Sequence, residues 1–85
     1  MAKDLDKDEV ARRLVDTIAD ICGDDIVRER RDMDLFAEGL LDSMGAIELL
    51  VAIEDDFGVS IAPTAVPRDE MNTTDKIVAQ VLKRL

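Results

Sequence analysis

The stretch that decides the fold runs from Leu40 to Phe57 and reads LLDSMGAIELLVAIEDDF. Glu48, Leu49, Leu50, Ala52 and Glu54 are good helix formers, and no proline interrupts the run. Gly58 follows at the point where a helix C-terminus often takes a residue that tolerates positive φ. At about 100° per residue, Ala46, Leu49, Leu50, Ile53 and Phe57 fall on one side and form the expected core stripe. Met44, Ile47 and Val51 make a second apolar stripe on the far side, flanked by Glu48 and Asp55. A surface helix with one core to face should be polar there. Two explanations stand. Another helix of the chain covers the second stripe, or the stripe is a docking strip for partners inside an acidic rim.

The mouth of this helix carries Asp42 and Ser43. Either can cap it, because a side-chain oxygen just before a helix accepts one of the free backbone N–H groups. For a lone serine at this position, capping is the ordinary role. The same free N–H groups and the helix dipole also favour an attached or bound phosphate. If Asp42 caps, Ser43 is left free to carry something. Gly45, two residues on, has no side chain and would let another molecule approach the backbone closely.

Composition removes most other functions. The chain has 85 residues, enough for one small domain with a core. It lacks tryptophan and tyrosine and has two phenylalanines, so the core must be aliphatic. The lone cysteine, Cys22, excludes an internal disulfide and makes a metal site improbable. It also continues an apolar stripe, which reads as a core thiol rather than a reactive one. Without histidine, zinc chemistry and a Ser–His relay have no basis in this chain. The acids at 32, 34, 38 and 42 lack the glycine-centred loop and terminal glutamate of a calcium-binding EF-hand. No run approaches the roughly 18 apolar residues of a membrane span. The N-terminal MAKDLDKDEV lacks the apolar stretch of a secretory signal, so a cytoplasmic location is expected.

A net charge of −9 argues against nucleic acid as a partner. Eight acids and no lysine or arginine lie between Asp32 and Pro67: Asp32, Asp34, Glu38, Asp42, Glu48, Glu54, Asp55 and Asp56. The excess is therefore concentrated on the segment that holds Ser43. Such a localised field would steer basic partner surfaces toward it.

The rest of the chain reads as helices joined by ordered connections. Residues 1–6 look like a frayed terminus. From about Lys7 to Cys22, Val10, Ala11, Leu14, Val15, Ile18 and Ile21 recur at helical spacing. Asp6 or Asp8 can cap the start, and Gly23 marks the stop. The span from Gly23 to Asp42 is long for a loop, but Ile26, Val27, Met33, Leu35 and Phe36 can pin it, with a turn of helix around Asp34 to Ala37. After Pro63, a short helix is expected from about Pro67 to Met71. Asn72, Thr73 or Thr74 then caps a last helix running to about Arg84, with Lys83 and Arg84 in its final turn. No stretch alternates like a strand. The expected fold is all-α: one domain, residues 1–85, forming a small antiparallel bundle of three main helices plus one short helix.

An enzyme needs convergent pocket groups, and this chain offers few. By elimination, if Ser43 acts at all beyond capping, it acts by being modified and presented. Leu41-Asp42-Ser43-Met44, within an acidic, histidine-free, helical chain of this size, resembles the acyl and peptidyl carrier proteins. The closer similarity is to the D-alanyl carrier subfamily of teichoic acid modification. It rests on Phe36, Gly39 to Gly45, Glu48-Leu49-Leu50, Ile53 and Phe57, with a second block at Arg68-Asp69-Glu70, Asn72-Thr73 and Lys76-Ile77. The chain departs from that subfamily at Val66 and Met71, where aromatic residues are usual, and around Ile61-Ala62-Pro63.

The resemblance implies a cytoplasmic monomer of the four-helix carrier fold that is not itself an enzyme. Ser43 would carry phosphopantetheine, attached by a phosphopantetheinyl transferase, with Asp42 as the flanking motif residue. An ATP-dependent adenylating ligase would load the thiol with D-alanine or another acyl group as a thioester. An acyltransferase, membrane-bound in the D-alanyl case, would take it. Met44, Ile47, Glu48, Val51 and Asp55 are the expected partner-binding residues, with no metal and no direct membrane insertion. The alternatives are a carrier of fatty acid, polyketide or nonribosomal peptide synthesis, and an acidic helical adaptor in which Ser43 merely caps.

Overall fold

The computed structural model describes residues 6–85 and is helical throughout, with no strand among the described residues. Helix α1 spans Lys7–Cys22, α2 spans Ile26–Glu29, α3 spans Ser43–Phe57 and α4 spans Thr74–Leu82, with a short 3-10 helix at Arg68–Glu70. The expected frayed terminus falls on residues 1–5, outside the described residues, and on Asp6, which caps α1 by accepting from the Asp8 N–H at 2.9 Å.

Helix α1 is the hub: α2, α3 and α4 each pack on it. Its buried face, Val10, Leu14, Val15, Ile18 and Ala19, meets Leu49 and Ile53 of α3 and Ile77, Val78 and Val81 of α4 in one aliphatic core. Phe57 is the single aromatic residue in that buried set. Gly23 and Gly58 close α1 and α3 with φ near +70°, the left-handed geometry that glycine adopts without steric cost.

The connection from α1 to α3 is ordered, but not as expected. Its helical piece lies at Ile26–Glu29, where Val27 is fully buried and Arg28 is bound to Asp16 of α1 and to Asp25. Around Asp34 to Ala37 the chain makes one isolated turn of helical type, with the Glu38 N–H donating to the Asp34 carbonyl at 3.1 Å, and does not extend it into a helix. The Asp34 carboxylate accepts from the Phe36 and Ala37 N–H groups at 3.0 Å, satisfying the backbone locally. Its other oxygen accepts from Asn72 Nδ2 at 2.9 Å, and the Leu35 N–H donates to the Asn72 carbonyl at 2.7 Å. Arg31 pairs with Asp75 at 2.8 Å. These bonds fasten the loop to the start of α4.

The segment expected as a helix at 67–71 is a three-residue 3-10 turn entered through Pro67. Thr73 caps α4, accepting from the Lys76 N–H at 3.1 Å. Helix α4 stops at Leu82, short of the expected Arg84. The Arg84 guanidinium folds back instead, donating to the Gln80 carbonyl at 2.9 Å, which satisfies a C-terminal acceptor that the helix leaves open. No helix among the described residues is long and apolar enough to cross a membrane.

Candidate functional site

The pinned loop delivers Asp42 and Ser43 to the mouth of α3. Leu41 is buried and anchors the chain there, while Asp42 and Ser43 are exposed. Asp42 is the cap: its backbone is extended and its Oδ1 accepts from the Gly45 N–H at 2.7 Å. Ser43 is the first helical residue, one position past the cap, so its hydroxyl is free of the capping role. Helix geometry leaves the N–H groups of this first turn without intrahelical acceptors, and the positive end of the dipole lies beside the serine.

Gly45 is closely surrounded within the chain itself. A Cβ at this position would lie 3.0 Å from Leu41 Cδ1, 3.2 Å from Asp42 Oδ1 and 3.5 Å from Ile21 Cγ2. The two tight approaches are made by the loop that precedes the helix, and Ile21 of α1 is in ordinary contact. Glycine lets the cap carboxylate and the buried Leu41 close over the first turn.

The second stripe of α3 faces outward. Met44 is 75% exposed, Ile47 52% and Val51 55%, with Glu48 and Asp55 exposed on the same side. No helix among the described residues covers it. The core stripe is narrower than the periodicity implied. Leu49, Ile53 and Phe57 are buried, whereas Ala46 and Leu50 are half-buried on the wall of a cleft.

That cleft, of about 320 Å³, opens beside Ser43. Leu49 and Leu50 form its α3 side, Phe36 comes from the loop, and Val66, Arg68 and Met71 come from the segment between α3 and α4. The Arg68 guanidinium lies 4.5 Å from the Phe36 ring centroid. The sequence marked none of these as site residues, because they come from three separate segments and nothing in residue order shows that they meet. Their assembly places a cation beside a stretch that reads as purely acidic.

Half-buried Cys22, at the end of α1, is not among the cleft-lining residues. Burial, followed by the charge of Asp24, pushes its thiol pKa above the ordinary value. The thiol is thus held in its neutral, unreactive form. No group of three or more His, Cys, Asp or Glu side chains that could hold a metal occurs among the described residues.

A family model described as a phosphopantetheine attachment site matches residues 12–83. The chain belongs to that family. It is also 47% identical to the D-alanyl carrier protein of Bacillus velezensis over 70 residues, covering 82% of this chain and 90% of the relative. The D-alanyl carrier protein of Bacillus subtilis is 46% identical with the same coverage. That of Lactococcus lactis subsp. cremoris is 46% identical over 72 residues, covering 85% of this chain and 91% of the relative. This chain is therefore a carrier, a substrate for enzymes rather than an enzyme. The residues present suit the prosthetic group. An exposed primary hydroxyl stands at a helix mouth, and beside it lies a mostly apolar cleft at the lower end of the roughly 300–1,000 Å³ range of small-molecule sites.

Proposed function

We propose that Ser43 is the residue that carries phosphopantetheine and that the cargo is D-alanine, held for transfer in teichoic acid D-alanylation. The observation that carries the attachment reading is the division of labour at the mouth of α3. Asp42 makes the cap bond, and the neighbouring serine hydroxyl is exposed. The cargo reading draws on the names of the relatives, each a D-alanyl carrier protein at more than 40% identity over most of this chain.

Bound there, phosphopantetheine supplies a thiol on a flexible tether, so the chain needs no nucleophile or base of its own. The protein's own residues hold the attachment point and present a surface. Asp42 orders the first turn. Leu41, buried beneath it, fixes where the turn starts. Met44, Ile47 and Val51, rimmed by Glu48 and Asp55, form the face that partner enzymes read. A small apolar strip in an acidic field suits partners that must dock fast and leave fast. Those partners are a phosphopantetheinyl transferase, an ATP-dependent adenylating ligase and an acyltransferase, served by a cytoplasmic monomer.

The test is intact-protein mass spectrometry after incubation with coenzyme A and a transferase. A gain of one phosphopantetheine on the wild type, absent in Ser43→Ala, is expected. No gain with several competent transferases would refute the attachment site. Loading assays with D-alanine, L-alanine and fatty acids then address the cargo, and activation of long acyl groups alone would refute D-alanine.

A further inference from the structure

Arg68 and Arg13 each rest on an aromatic ring rather than in an ion pair, and of the two Arg68 is the one that lines the cleft beside Ser43. Among the described residues, the ion pairs engage Arg28 and Arg31, whereas the Arg68 guanidinium rests on the Phe36 ring at 4.5 Å. Arg68 is exposed, and it is the one charged side chain among the described residues lining the cleft that reaches Ser43. Its backbone is held in place. The Glu70 N–H donates to the Pro67 carbonyl at 2.9 Å, the Met71 N–H to the Arg68 carbonyl at 3.0 Å, and Lys76 Nζ to the Asp69 carbonyl at 2.8 Å. Only the long side chain is free to swing.

The charge balance around Ser43 makes that cation matter. Asp42 precedes the serine, Glu48 lies on the same helix, and the protein carries a net −9. A phosphodiester esterified to Ser43 adds a further anion to this field. The helix mouth offsets part of it, and Arg68 is the lining group that can offset the rest. An exposed cation–π contact is a weak hold. A guanidinium–phosphate contact is charge-assisted and can be bidentate, so it outcompetes the ring. We infer that Arg68 is the anion anchor for the phosphodiester on Ser43, exchanging the Phe36 ring for the phosphate and laying the start of the arm along the cleft. The inference rests on Ser43 being the attachment site. Arg68 is a positioning residue in this account, and Asp69 and Glu70 beside it remain solvated.

The experiment compares apo and phosphopantetheinylated protein by NMR, for the wild type, Arg68→Gln and Arg68→Lys, with intact mass recorded on each sample. Two readouts are expected. In the wild type, the Arg68 Nε–H resonance shifts when the arm is attached, a comparison that needs no variant to fold. In the holo forms, the phosphorus resonance moves in Arg68→Gln and moves less in Arg68→Lys. A full mass gain with the Arg68 Nε–H and phosphorus signals both unchanged would overturn the anchor while leaving the attachment site intact. So would a variant that slows loading by a partner enzyme with both signals unchanged, since Arg68 would then serve the partner. Absence of the mass gain in the wild type would overturn the attachment reading and the anchor with it.

Discussion

Of the two alanine replacements at the mouth of α3, Asp42→Ala should lower stability and Ser43→Ala should not. In Asp42→Ala the helix loses the bond from the Gly45 N–H to Oδ1, 2.7 Å long and made to a charged acceptor. Loss of an N-cap costs about 1 kcal/mol, within a range of roughly 0.5–2. Removing the carboxylate from the positive end of the dipole adds about 0.3–1 kcal/mol at an exposed site. The combined loss is about 1–2 kcal/mol, a fall in Tm of roughly 4–16 °C for a domain of this size. Ser43→Ala removes no cap bond, because Ser43 is already the first helical residue and is exposed. Alanine is the better helix former, so this variant should be unchanged or more stable by up to about 0.5 kcal/mol. Far-UV circular dichroism during urea and thermal unfolding measures both, and the absence of tryptophan and tyrosine makes the helix band the natural signal. If Ser43→Ala falls as far as Asp42→Ala, the serine takes part in the cap. The separation of roles at this helix mouth would then be wrong.

Met44→Lys and Val51→Lys should alter unfolding free energy by no more than about 0.5 kcal/mol, because both side chains already face solvent. Ligase loading rates should nevertheless drop, and a large fall in Tm would instead place the stripe in internal packing. Asp34→Ala removes the acceptor of three hydrogen bonds and should cost about 2–3 kcal/mol in urea denaturation. Asp34→Asn should fall between it and the wild type, since it keeps one acceptor oxygen but sets an amide against Asn72. Alkylation of Cys22 by iodoacetamide should accelerate only at a higher pH than for an exposed cysteine, because burial raises its pKa and favours the neutral thiol. Equal pH profiles for Cys22 and a cysteine-containing peptide would contradict that.

Local chemistry made much of this legible from residue order. Gly23 and Gly58 mark their helix ends, and Asp6 and Thr73 are each among two or three neighbouring residues able to cap theirs, because capping and left-handed geometry depend on one residue and its immediate neighbours. The same short-range rules offer Asp42 and Ser43 as alternative caps, and the folded helix mouth gives the bond to Asp42 and makes Ser43 the first helical residue. So did the aliphatic core, since helical periodicity survives packing against any neighbour. The helix in the crossover escaped notice because it has four residues, too few for a periodic signal.

Tertiary packing alone resolved what depends on segments distant along the chain. Whether the Met44, Ile47 and Val51 stripe is covered turns on where α1 and α4 lie, and they lie on the opposite side. The tight fit at Gly45 comes from Leu41 and the Asp42 carboxylate, brought over the first turn by the way the loop closes, with Ile21 of α1 in ordinary contact. The cleft and its arginine exist because residues 36, 49 and 68 meet in space, and no local rule couples positions so far apart. Capping and periodicity act within a turn or two of helix. Exposure and cavity shape are properties of how the helices stack, and they become visible only once the chain has closed on itself.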